Sequence, residues 1–101
     1  MTIKGYIYAE LDVHDVAMFY DDYMVKVRPI LKDYGAVFLC ATDRPQVVEG
    51  GRTVKRVILI EFESPAGARE FFYSVEYQDI IGIRFKSADA HLYFLDGLPT
   101  G

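Results

Sequence analysis

Apolar and polar residues alternate at the start of the chain. Ile3, Ile7, Ala9 and Leu11 fall on one face, and Lys4, Tyr6, Tyr8 and Glu10 on the other. This two-residue period predicts a strand over residues 3–11 with one covered side. Gly5 shares the covered face and lets a neighbouring backbone approach. The period then changes. Val16, Tyr20, Tyr23, Val27, Ile30 and Tyr34 recur at three- and four-residue steps, which predicts a helix over residues 13–34 with that stripe buried. Asp12 is the expected N-cap, and Asp15 adds negative charge where a helix N-terminus favours it. Pro29 lacks a donor and crowds the Val25 carbonyl, so a kink is expected there. Gly35 supplies the left-handed residue that ends the helix.

Residues 36–41 read as a second strand, and Thr42-Asp43-Arg44-Pro45 as a turn. Residues 46–49 are expected to form a short strand closed by a Gly50-Gly51 hairpin turn. Residues 54–62, with Val57-Ile58-Leu59-Ile60, are the strongest strand. Ser64-Pro65 is an N-cap followed by a proline at the first helical position. Ala68, Phe71 and Phe72 give this helix its apolar side. Ser74 is read as the cap of a further helical piece, with Tyr77, Ile80, Ile81, Arg84 and Phe85 on one face. Residues 91–96 form the last strand. The fold class is therefore α+β, in the ferredoxin-like βαββαβ order, with one extra short strand and helices on one face of an antiparallel sheet.

A sheet covered on one side should be polar on the other. Here both faces are apolar. Val37, Leu39 and Ala41 oppose Ala36, Phe38 and Cys40; Val57 and Leu59 oppose Ile58, Ile60 and Phe62; Tyr93 and Leu95 oppose Leu92 and Phe94. The uncovered set would be larger than a monomer usually exposes, and a second copy of the same sheet is the simplest cover. Sheet-to-sheet packing of a homodimer is the expectation.

Composition narrows the partners. The 101 residues fit a single domain, 1–101, and the net charge of −4 makes the chain a poor counterion for phosphates. Nucleic acid is not an expected partner, and no apolar stretch approaches a membrane span. The absence of a charged-then-apolar leader gives a cytoplasmic expectation. Cys40 is the single cysteine and reads as a small core hydrophobe. Trp and Asn are absent.

The helix ending in Tyr34-Gly35, the passage Ile60-Glu61-Phe62-Glu63-Ser64, and the run Tyr73-Ser74-Val75-Glu76-Tyr77 followed by Arg84 resemble the domain-of-unknown-function 1330 family, over nearly the whole chain. The resemblance implies a dimeric α/β barrel, in which the sheets of two ferredoxin-like subunits pack together, and it implies no established activity. Monooxygenases of that superfamily typically rely on Asn and Trp in the pocket. This chain has neither, so that set has no position here.

Each polar candidate has two readings. Glu61, in phase with Val57 and Leu59, is a general base in a desolvated setting, or a structural acid paired with an arginine. Arg84 is an anion clamp, or half of a salt bridge to Glu61 or Glu76. His91 is a general base or lone haem ligand, or a solvent-edge residue; His14 reads as surface. No metal-ligand spacing is present, so no metal or other cofactor is expected. Among the eight tyrosines, Tyr6 and Tyr77 are the pocket candidates, while most of the others suit an interface. Two functions compete. One is an acid-base enzyme of isomerase or hydrolase type, with Glu61, Arg84, Tyr77 and His91 converging between sheet and helices. The other is a binding or structural homodimer that does no chemistry on a small-molecule ligand.

Overall fold

The computed structural model describes residues 2–99. Its elements run β1 (Gly5–Val13), a π-helical segment (Met18–Tyr23), α1 (Met24–Asp33), β2 (Val37–Thr42), β3 (Arg56–Phe62), α2 (Pro65–Phe72), α3 (Val75–Gln78), α4 (Ile81–Ser87) and β4 (Ala88–Asp96). The strands form one antiparallel sheet in the order β2-β3-β1-β4. Ile7, Ala9 and Leu11 of β1, with Ile60 and Phe62 of β3, pack against Phe19, Tyr23, Val27, Phe71 and Tyr77 from the helices. Among the described residues, helices lie on this inner face only. The molecule is flat, 41 × 37 × 16 Å.

Local chemistry explains most element ends. The Ser64 hydroxyl accepts from the Gly67 N–H at 3.0 Å, and Pro65 opens α2. The Ser74 hydroxyl accepts from the Tyr77 N–H at 3.2 Å and starts α3. Gly35, at φ 71°, ends α1: its N–H donates to Lys32 O, and the Ala36 N–H donates to Leu31 O. That pair of hydrogen bonds is the Schellman arrangement. A side chain at Gly5 would collide with Ser64 O and the Pro65 backbone, so the close approach expected at this glycine is present.

Several expectations are corrected. β1 runs on to Val13, which places Asp12 in the sheet opposite Asp89 instead of at a helix cap. Asp15 takes the cap: its carboxylate accepts from the Met18 N–H at 3.0 Å, and its carbonyl from the Phe19 N–H at 2.9 Å. The irregularity in the first helical region lies in the π-helical segment, where the Met24 N–H donates to Phe19 O; α1 runs through Pro29. This wider turn shifts the stripe upstream, so Phe19 is buried and Val16 is exposed. Residues 46–49 form no strand; Val47 and Val48 are exposed and find no pairing partner. β4 starts at Ala88, three residues before the expected start, because the longer β1 supplies partners for it. Phe85 is exposed, turned away from the core. Cys40 is exposed as well, on edge strand β2, where no side chain is buried. β2 packs on β3 alone among its closer neighbours, and its register slips between Phe38 and Cys40, leaving Leu39 as a bulge.

Candidate functional site

Strand phase sorts the candidate residues onto two faces. Tyr6, Tyr8 and Glu10 alternate with the buried residues of β1, and their register partners are Glu61, Leu59 and Val57 on β3 and Leu95, Tyr93 and His91 on β4. Glu61, Tyr6 and His91 therefore stand on the outer face, away from the helices. Tyr77 and Arg84 lie on the inner side. The expected convergence of Glu61, His91, Tyr77 and Arg84 in one pocket does not occur.

On the outer face the Tyr6 hydroxyl donates to Glu61 at 3.3 Å. Burial and then the Glu61 carboxylate push the Tyr6 phenol above its ordinary value. Glu61 has no arginine partner among the described residues. His91 sits at the far end, in a polar groove with Glu10, Asp12, Arg52, Lys55 and Asp89. Arg52 pairs with Glu10 and Lys55 with Asp12, so both cations of the groove are taken and Asp89 is left over. Among the described residues no group of three or more His, Cys, Asp or Glu is placed to hold a metal ion.

The inner face holds a cavity of about 40 Å³ between sheet and helices. Ile7, Ala9, Phe19, Val27, Ile60 and Leu92 make an apolar wall. Its polar groups come from the π-helical segment, α3, α4 and the start of β3. The Tyr23 and Tyr77 hydroxyls meet at 2.7 Å, and Arg84 Nε donates to the Tyr77 hydroxyl at 3.2 Å. Two hydroxyls carry two protons, and only one lies between them. The other is free to donate. Burial and then Tyr77 hold the Tyr23 phenol well above its ordinary value, so it remains a neutral donor.

Arg84 is 6% exposed. No carboxylate lies within ion-pair reach of it among the described residues, so the salt bridge to Glu61 or Glu76 is not formed. Glu76 instead accepts a hydrogen bond from Tyr34. A buried guanidinium without a counter-ion is an expensive arrangement. The cavity wall carries two arginines, Arg56 and Arg84, and no Asp, Glu, His or Lys. The site thus offers hydrogen-bond donors and positive charge, and has no base. Sequence reasoning passed over Arg56, although it falls in phase with Ile58, Ile60 and Phe62 and that phase was the available signal. Tyr23 was read mainly as part of the helical stripe.

The family model described as a domain of unknown function (DUF1330) matches residues 4–98. The chain belongs to the DUF1330 family. No functionally curated protein matches it. Among solved structures, this DUF1330 chain is similar to a protein of unknown function from Rhodopseudomonas palustris, with TM-score 0.76 and 16% identity over 99% of this chain and 86% of that one. It is also similar to an uncharacterized NIPSNAP domain protein from Burkholderia xenovorans, with TM-score 0.62 and 12% identity over 97% and 94%. A dimeric ferredoxin-like protein of unknown function from Thermobifida fusca follows, with TM-score 0.53 and 10% identity over 97% and 93%. At such identities the likeness establishes the fold of the DUF1330 chain, a ferredoxin-like α+β sheet with helices, and nothing of its chemistry. Among the described residues no helix is long and apolar enough to cross a membrane.

Proposed function

We propose that this protein binds a small organic anion in the cavity between sheet and helices, without converting it, and that it does so as a homodimer built as a dimeric α/β barrel of βαββαβ subunits. The observation that carries the reading is Arg84, buried among apolar side chains with hydroxyl partners and no acid. An anionic oxygen entering beside it would accept from the guanidinium and from the spare tyrosine proton, and would neutralise the charge. The apolar wall suits a hydrocarbon or aromatic body. Acid-base catalysis fits less well, because the carboxylate and imidazole proposed for it stand on the other side of the sheet.

The dimer is supported by the outer face. Val37, Tyr93 and Leu95 are 53%, 46% and 43% exposed, on the face that also carries Val57, Leu59, Tyr6 and Tyr8. The accessible surface, 6529 Å², exceeds the approximately 5,800 Å² expected for a compact monomer of this mass. A partner's sheet laid on this face would cover the apolar centre and enclose the Tyr6–Glu61 pair.

A thermal-shift screen of small organic acids against wild type and Arg84→Gln tests the function. Organic acids should raise the melting temperature of the wild type, be recovered unchanged by mass spectrometry, and lose their effect in Arg84→Gln. A hit recovered as a different compound would make the protein an enzyme. A screen without hits, or hits indifferent to Arg84→Gln, would refute the reading.

A further inference from the structure

We infer that Arg56 is the second cation of this site and that the ligand is an organic dianion, carrying its two negative charges on two carboxylates or on one phosphomonoester. The inference rests on the binding reading above. Arg56 opens β3 opposite Leu11, on the inner face, and lines the same cavity as Arg84. Its Nε is sealed from water and has no hydrogen-bond partner, the one such side-chain atom among the described residues. Its guanidinium lies 5.5 Å from the centre of the Tyr20 ring. Its neighbours Arg52 and Lys55 take Glu10 and Asp12, while no carboxylate reaches Arg56 among the described residues. A buried donor left unmade calls for a partner, and nothing in the fold supplies it.

The charge balance sets the class. Arg84 is buried and Arg56 half-buried, and both line a cavity without an acid, so a dianion can pair with both guanidinium groups where a monoanion pairs with one. The topology supplies the entrance. Helices do not cover the inner face of β2, and Phe38, 37% exposed, lines the cavity beside Arg56 and Ile58. The resting cavity is small, so the apolar body of the ligand extends along this open side of the sheet.

Isothermal calorimetry with 1-hexanol, hexanoate, adipate and hexyl phosphate tests the inference, since these probes share a chain length and differ in charge. Wild type, Arg56→Gln and Arg56→Lys are compared, each first shown to be folded by circular dichroism. The wild type should bind at least one dianion roughly tenfold more tightly than hexanoate. Arg56→Gln should bring that dianion to within about twofold of hexanoate, and Arg56→Lys should keep part of the preference. Tighter adipate assigns separate carboxylates to the two arginines; tighter hexyl phosphate assigns both to one head group. Hexanoate binding as well as both dianions, or a preference that survives Arg56→Gln, would overturn the inference while leaving the anion site standing. Failure of every acid to bind would refute the anion site and the inference together.

Discussion

Replacing Arg84 with methionine should make the empty protein more stable and at the same time deaf to its ligand. The substitution keeps most of the side-chain volume and removes a charge that is 6% exposed. Enclosing an ion costs several kcal/mol even after the protein relaxes around it. Two contacts offset this. The hydrogen bond from Nε to the Tyr77 hydroxyl contributes about 1.5–3 kcal/mol. The Phe85 ring, whose centre lies 5.1 Å from the guanidinium carbon, contributes about 1 kcal/mol. After the exchange Tyr77 keeps Tyr23 as its partner, so no hydroxyl is stranded. The balance favours methionine by about 1 kcal/mol, or roughly 4–8 °C in melting temperature for a domain of this size. Thermal and urea unfolding at one fixed protomer concentration would measure it, because a dimer's midpoint moves with concentration. Arg84→Met that is less stable than wild type by 1 kcal/mol or more, and still responds to organic acids, would refute the argument: Arg84 would then be a structural residue.

Two further outcomes follow from other parts of the molecule. The Tyr23 phenol is held well above its ordinary value by burial, so folded and unfolded chains carry the same proton below about pH 10, and above it only the unfolded chain releases its proton. Stability should therefore fall by up to about 1.4 kcal/mol per pH unit above pH 10 on account of this group, and urea midpoints at pH 9 and pH 11 should show a smaller drop for Tyr23→Phe; an equal drop would place the alkaline sensitivity elsewhere. Leu59 stands at the middle of the outer face, between Cys40 and Tyr8 in register. Leu59→Lys should give a folded monomer in sedimentation velocity where the wild type gives a dimer, and an unchanged dimer would remove the outer face as the interface.

The parts of the fold that local chemistry governs were legible before the structure. Ser64-Pro65 announces α2, and Gly35 announces the end of α1, because a cap and a left-handed residue act within one turn of chain. The apolar outer face was legible too, since strand alternation needs only the period of two. What tertiary pairing decides was not. The Ala88-Asp89-Ala90 stretch carries no strand signal of its own and becomes the start of β4 because β1 extends beside it. Of the two acids this sets opposite each other, Asp12 is relieved by Lys55 at 3.4 Å, and the Asp89 side chain is largely exposed to water. Val47 and Val48 look like strand residues and lack only a partner. Cys40 lies in an apolar run, and its exposure follows from the edge position of β2. The site was legible in part. Tyr77 and Arg84, expected on one face of a single helical piece, lie on the separate helices α3 and α4 and still meet. Glu61 and Tyr6 are separated from them by the thickness of the sheet, which follows from the phase of two strands read together.

On the proposed binding function, the enclosed Arg84 guanidinium receives the ligand. Observation of the arginine Nε–H resonances by nuclear magnetic resonance during titration with hexanoate tests it most directly. The Arg84 signal should shift and saturate with the titration and its exchange with water should slow, while the backbone amides of Glu61 and His91 stay in place. Saturating shifts centred on the outer-face residues, with the Arg84 resonance unmoved, would contradict it.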